Sequence, residues 1–129
     1  MRLLAVLLLG FTAAPAPAAR FRTIPVVVEA ATPLGAYQVE IRTGGRIVGV
    51  EGGDAPFDAP PYYDPAALAG EHIILAAFST ESALSPGRHR VAVLHVREEG
   101  EPQTEIRLTA AADPGGARVE AQAFVERQP

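Results

Sequence analysis

From Arg22 onward the apolar residues recur at every second position, in short blocks cut by Gly and Pro. A period of two is the repeat of a strand; the apolar positions of a helix recur every 3.6 residues. Ile24, Val26 and Val28 alternate in the first block. Tyr37, Val39 and Ile41 alternate with Ala36, Gln38, Glu40 and Arg42 in the second, which gives one apolar and one wetted face. Thr43-Gly44-Gly45-Arg46 then turns the chain. A Gly-Gly pair tolerates the positive φ angles of a tight hairpin, so a third strand over 46–51 is expected antiparallel to the second. The blocks at 71–79 and 88–97 are apolar on both faces, a pattern that belongs to strands in the middle of sheets. After the solvated turn Glu98-Glu99-Gly100-Glu101-Pro102, Ile106, Leu108 and Ala110 alternate with Glu105, Arg107 and Thr109. Asp113-Pro114-Gly115-Gly116 makes the last turn, and Val119, Ala121, Ala123 and Val125 form one face of a closing strand.

Seven such blocks with almost no helical signal predict an all-β fold, an antiparallel two-sheet β-sandwich. Alternate side chains would be buried between the sheets, which makes Tyr37, Val39, Ile41, Leu75, Phe78, Ala92, Leu94, Val96, Ile106 and Leu108 the expected core. At 48% hydrophobic and 20% charged the composition suits a globular chain. There is no Cys, Trp, Lys or Asn, so disulfides, thiolate metal sites, cysteine nucleophiles and N-glycosylation are excluded. Missing Lys and Asn beside abundant Ala, Gly, Pro and Arg read as the codon bias of a GC-rich genome, and a bacterial source is expected.

The first residues have the three parts of a secretory signal: Arg2, an apolar run over 3–11, and small residues at alternate positions in Ala16-Pro17-Ala18. The run is too short to span a bilayer, which takes about 20 residues, and Pro15 and Pro17 break any helix near the cleavage region. Residues 1–18 are therefore read as a signal peptide and 19–129 as a single domain, periplasmic or secreted, with no stable membrane insertion after cleavage. The net charge is −4 and no basic patch is present, so a nucleic-acid partner is not expected.

One segment breaks the strand rhythm. Residues 52–70 hold four prolines, three of the four Asp and three of the eight aromatic residues, and connections of that length in compact domains are usually functional or disordered. Asp64 can cap a short helical turn that Pro65 begins, Ala66-Ala67-Leu68 continue and Gly70 ends. Phe57, Tyr62 and Tyr63 are rings of the kind that interfaces use as anchors, and neighbouring prolines would hold them at low entropic cost. Phe57, Tyr62, Tyr63 and Asp64 are the candidate binding residues; folding back as a lid over the end of the sandwich is the alternative.

No catalytic or metal-binding residues are identified, and no cofactor is expected. His89 and His95 are six apart in one strand, roughly 20 Å between Cα atoms, too far to share an ion. Asp54, Asp58 and Asp64 match no calcium-loop spacing. Ser79, Ser82 and Ser85 lack a nucleophile elbow. Glu98, Glu99 and Glu101 share a solvated turn where nothing would raise a pKa; as a charged tip they discourage edge pairing.

Gly35-Ala36-Tyr37-Gln38-Val39-Glu40-Ile41, Val48-Gly49-Val50-Glu51-Gly52-Gly53, the strand Ile73 to Phe78, the turn at Gly87 and Val91-Ala92-Val93-Leu94-His95-Val96 fall in an order that resembles cohesin-type domains. The resemblance runs over most of 24–125. It implies a jelly-roll sandwich shared with extracellular carbohydrate-binding modules, whose members bind proteins or polysaccharides and are not enzymes. The family's Tyr-Asp-Pro turn after the early strand is replaced here by Thr43-Gly44-Gly45, so the fold carries over and dockerin recognition does not. The expected function is that of an exported non-catalytic module for protein–protein interaction. A polysaccharide-binding module and a structural subunit of an envelope assembly are the alternatives.

Overall fold

A computed structural model describes residues 19–100 and 103–126; the segment over 1–18, read from the sequence as a signal peptide, lies outside them. Seven strands follow in order: β1 (Arg20–Ala30), β2 (Ala36–Thr43), β3 (Arg46–Gly52), β4 (His72–Phe78), β5 (Gly87–Glu98), β6 (Thr104–Ala112) and β7 (Ala121–Val125). They form two antiparallel sheets, β3-β5-β1-β7 and β4-β2-β6, packed face to face as an all-β sandwich. The only helical element among the described residues is a 3-10 turn over Pro65–Ala67.

Odd-numbered strands make one sheet and even-numbered strands the other, so every successive connection crosses between the layers. The hairpin expected at Gly44-Gly45 is therefore not formed. Both edges of β2 are taken, by β4 and β6, while β3 pairs with β5. The glycines serve a different need: at Gly45 the crossing chain runs against β5, where a Cβ would stand 2.5 Å from the Arg97 carbonyl oxygen and 2.7 Å from Glu98 Cγ. Close backbone approach, and not a positive φ, excludes a side chain here.

The core is the set of inward-turned residues of both layers. Ile24, Val26 and Val28 of β1 and Ala92, Leu94 and Val96 of β5 meet Tyr37, Val39 and Ile41 of β2 and Ile73 and Leu75 of β4. Each large aliphatic side chain removed from water there contributes about 1.5–3 kcal/mol before entropy is counted. In the β1–β5 ladder Val91 is an extra residue between the partners of Val26 and Val27, and both Val91 and Ala92 are buried. Strand β5 is central, as its two apolar faces predict. Strand β4 is not: it is an edge strand, and its second apolar face looks outward. Phe78 is the core residue that this displaces, lying 66% exposed. Ile106 and Leu108 are half-buried against the core.

Candidate binding face

Residues 52–70 run along the β3/β4 side of the sandwich and fix its geometry. Gly53 N–H donates to the Phe57 carbonyl (2.8 Å), Phe57 N–H to the Asp54 carbonyl (2.8 Å), and Asp54 N–H to the Arg90 carbonyl of β5 (2.7 Å). That tight turn drives Phe57 into the core, 3% exposed. Its ring meets Tyr37 edge-on, with centroids 5.1 Å apart and an interplanar angle of 88°. The Tyr37 hydroxyl donates to the Val91 carbonyl (3.2 Å), and burial pushes the phenol pKa up.

Farther along, Tyr62 bridges to the outer edge of β4: its N–H donates to the Ala76 carbonyl (2.7 Å) and its carbonyl accepts from Ala76 N–H (3.0 Å). Directly opposed residues of an antiparallel pair share a face, so Tyr62 projects on the outer side of the three-stranded sheet. There it is 71% exposed and lies against Phe78, centroids 6.3 Å apart and planes within 17° of parallel. Ile74, two residues before Ala76, is exposed on the same face. Tyr63 turns the other way and is half-buried against the core. Asp64 accepts a hydrogen bond from Ala66 N–H (2.9 Å), capping the 3-10 turn that Pro65 opens. After it, Ile47 N–H donates to the Gly70 carbonyl (2.8 Å) and Ala69 N–H to the Ile47 carbonyl (2.7 Å), which covers part of β3.

The four candidate residues thus part company. Phe57 seals the core, Tyr63 is half lid, Asp64 is a cap, and Tyr62 alone presents its ring to solvent. Its partner ring, Phe78, comes from β4, whose apolar pattern alone points it to the core.

Beside this ring pair the outer face is charged. Glu40 of β2 accepts from Arg107 (2.7 Å) and from Arg42 (3.4 Å), and shares a hydrogen bond with His72 (2.9 Å). The hydrogen bond from Arg107, then that from His72, lowers the Glu40 pKa below the usual carboxylate value. Glu40, Arg42, Glu105, Ile106 and Arg107 line a shallow depression.

Each histidine takes a different carboxylate. His72 goes to Glu40, His95 to Glu51 (2.8 Å), and His89 lies 3.8 Å from Asp54. Among the described residues no three His, Cys, Asp or Glu side chains gather as a metal site. Ser85, His89 and Asp54 superficially resemble a triad, with the Ser85 hydroxyl 3.2 Å from His89 Nε2. That same nitrogen lies 2.8 Å from the Ser85 carbonyl. A carbonyl only accepts, so Nε2 carries the proton and has no lone pair for the serine. The contact closes the turn into β5.

No helix among the described residues is long and apolar enough to cross a membrane. Comparison of the chain with protein-family models, with curated proteins and with solved structures gives no match.

Proposed function

We propose that this protein is a non-catalytic binding module, exported through its amino-terminal segment, that engages a protein partner through Tyr62 and Phe78. The carrying observation is the ring pair itself: two aromatic side chains, each about two-thirds or more exposed, held against one another on the outer face of the small sheet. Large exposed apolar groups cost solubility, and contiguous ones mark interaction surfaces. Here Ile74 extends the apolar surface, and Arg42, Glu40 and Arg107 give it a charged border, the arrangement of an interface core and its polar rim. Tyr62 also meets the requirement for an anchor that loses little freedom on binding, because its backbone is bonded to β4 on both sides of the peptide.

The near-parallel rings also suit the flat face of a sugar, which keeps a polysaccharide ligand as the second reading; the lack of any Trp weighs against it. The test is the double variant Tyr62→Ala/Phe78→Ala, immobilised beside the wild type and exposed to an envelope fraction and to a glycan array. Capture of a defined protein that weakens at least tenfold in the variant, about 1.4 kcal/mol, supports the reading. Binding of a glycan lost in the same variant replaces it with the second. A partner held equally by both forms overturns the assignment of the face.

A further inference from the structure

Of the sandwich's four outer edges, two are shielded by the connection over 52–70: β4 by the Tyr62 bridge to Ala76, and β3 by the pairing of Ile47 with Ala69 and Gly70. On the opposite side β7 is only five residues long, whereas β6 runs for nine and, among the strands of the described residues, pairs with β2 alone. Among the described residues its far edge meets the chain again only near its end, where Ala112 bridges to Arg118 and Val119 N–H donates to the Ala111 carbonyl. Long bare edges recruit further strands.

The direction in which the β6 backbone faces follows from its ladder. Gly44 N–H donates to the Gln103 carbonyl (2.6 Å), and one residue earlier Thr43 N–H points the other way, to Glu71 (2.8 Å). Backbone groups alternate in side along a strand. Gln103, Glu105 and Arg107 therefore turn their N–H and C=O toward β2, and Thr104, Ile106 and Leu108 turn theirs outward, up to the irregularity at Gln38/Val39 of β2, where Thr109 is the extra residue on β6.

We propose that this edge pairs with the same edge of a second copy, antiparallel and centred on Ile106, joining two three-stranded sheets into one of six strands. In that register Ile106 faces the second copy's Ile106 and Thr104 faces its Leu108, all of them residues whose backbone groups are turned outward. Glu105 then stands opposite the second copy's Arg107, and Arg107 opposite its Glu105. These are non-hydrogen-bonded positions, where opposed side chains approach most closely. Both side chains are on the solvent face, with Arg107 already aligned by Glu40. The segment Thr104-Glu105-Ile106-Arg107-Leu108 is thus self-complementary in backbone parity, in apolar face and in charge. A shift of the centre by one residue, to Arg107, would still pair outward-turned backbone groups, Ile106 with Leu108, but would set Arg107 against itself at a non-hydrogen-bonded position. The two-fold pairing also covers the half-buried Ile106 and Leu108 on the side that β7 leaves open.

Analytical ultracentrifugation of the purified chain tests this. The wild type is expected to dimerise. Glu105→Arg alone and Arg107→Glu alone each place like charges in opposition twice and are expected to weaken dimerisation at least tenfold. An equimolar mixture of the two variants restores both opposite-charge pairs and is expected to recover a one-to-one heterodimer. Circular dichroism confirms that each variant is folded. Should Arg107→Glu fail to fold for want of its Glu40 contact, Thr104→Pro serves instead: its N–H lies on the outer edge, so the variant keeps the β2 ladder and removes only a bond to the second copy. A wild type that stays monomeric at millimolar concentration, single variants that dimerise as well as the wild type, or a mixture that recovers nothing would each overturn the proposal.

Discussion

The Phe57 and Tyr37 rings meet edge to face at 88°, 5.1 Å between centroids, and through this contact the irregular connection over 52–70 is tied to the centre of β2. The aromatic pair adds roughly 0.5–1.5 kcal/mol to the burial of the ring itself. Phe57→Ala is therefore expected to destabilise the fold by about 3–5 kcal/mol, as aromatic truncations in cores do, and to loosen the segment that carries Tyr62. Urea unfolding followed by circular dichroism measures the first. Hydrogen exchange at Tyr62 and Ala76 N–H measures the second, and unchanged protection there would mean that Tyr62 is held independently of Phe57.

The sandwich core rests on β5 as its central strand. Leu94 is fully buried between the layers, and Leu94→Ala leaves a cavity that a two-layer core cannot close. A loss of about 2–5 kcal/mol is expected. A near-neutral result in chemical denaturation would show that the layers collapse onto the vacated space.

Much of this fold is readable in the chain. Period-two alternation locates β1, β2, β6 and β7, because a strand with one buried face writes that face into every second residue, while β3 is placed by the turn before it and β4 and β5 by continuous apolar runs between turns. What alternation leaves open is which strand lies beside which. The Gly44-Gly45 pair announces a reversal, but the partner of β3 is decided by the free edge of β5, far along the sequence. Strand β4 fails differently. With apolar residues on both faces, Leu75 and Phe78 both look like core although they have opposite parity, and only one can point inward. The candidate site is half legible for the same reason. Tyr62 stands out in a segment without strand rhythm, but its contact with Phe78 is made across the Tyr62–Ala76 bridge, which no local pattern encodes.

Gly45 allows a direct test of the layer crossing. A methyl group there meets Arg97 backbone and the Glu98 side chain, so Gly45→Ala is expected to cost about 1–3 kcal/mol through displacement of packed groups. In a true hairpin turn open to solvent the same change would be felt far less. A fall in the denaturation midpoint of the alanine variant measures the difference, and an unchanged midpoint would contradict the close approach.

Glu40 supplies a pH signature. Its carboxylate is favoured in the folded state, chiefly by the hydrogen bond from Arg107 and next by that from His72, so its pKa lies below the unfolded value. The associated stability is present above the ordinary carboxylate range and is lost as the pH falls through the lowered pKa. Carboxyl-carbon NMR of the wild type is expected to show Glu40 titrating below the ordinary glutamate value. Arg107→Ala should move it back up, and a titration that Arg107→Ala leaves in place would assign the shift elsewhere.

The two adjacent tyrosines give the sharpest contrast, because one peptide bond separates a side chain in solvent from one against the core. Tyr62 holds β4 through its backbone, which alanine preserves, and its ring touches Phe78 at an exposed position. Tyr62→Ala is therefore expected to shift stability by less than about 1 kcal/mol, within the range of an exposed aromatic contact. Tyr63 packs against the buried cluster, and Tyr63→Ala should destabilise by about 1–3 kcal/mol through lost burial. Thermal melting of the single variants separates these effects, and partner capture should follow the opposite order, weakened by Tyr62→Ala and retained by folded Tyr63→Ala. A large loss of stability in Tyr62→Ala would make its ring a structural lid and remove it from the proposed interface.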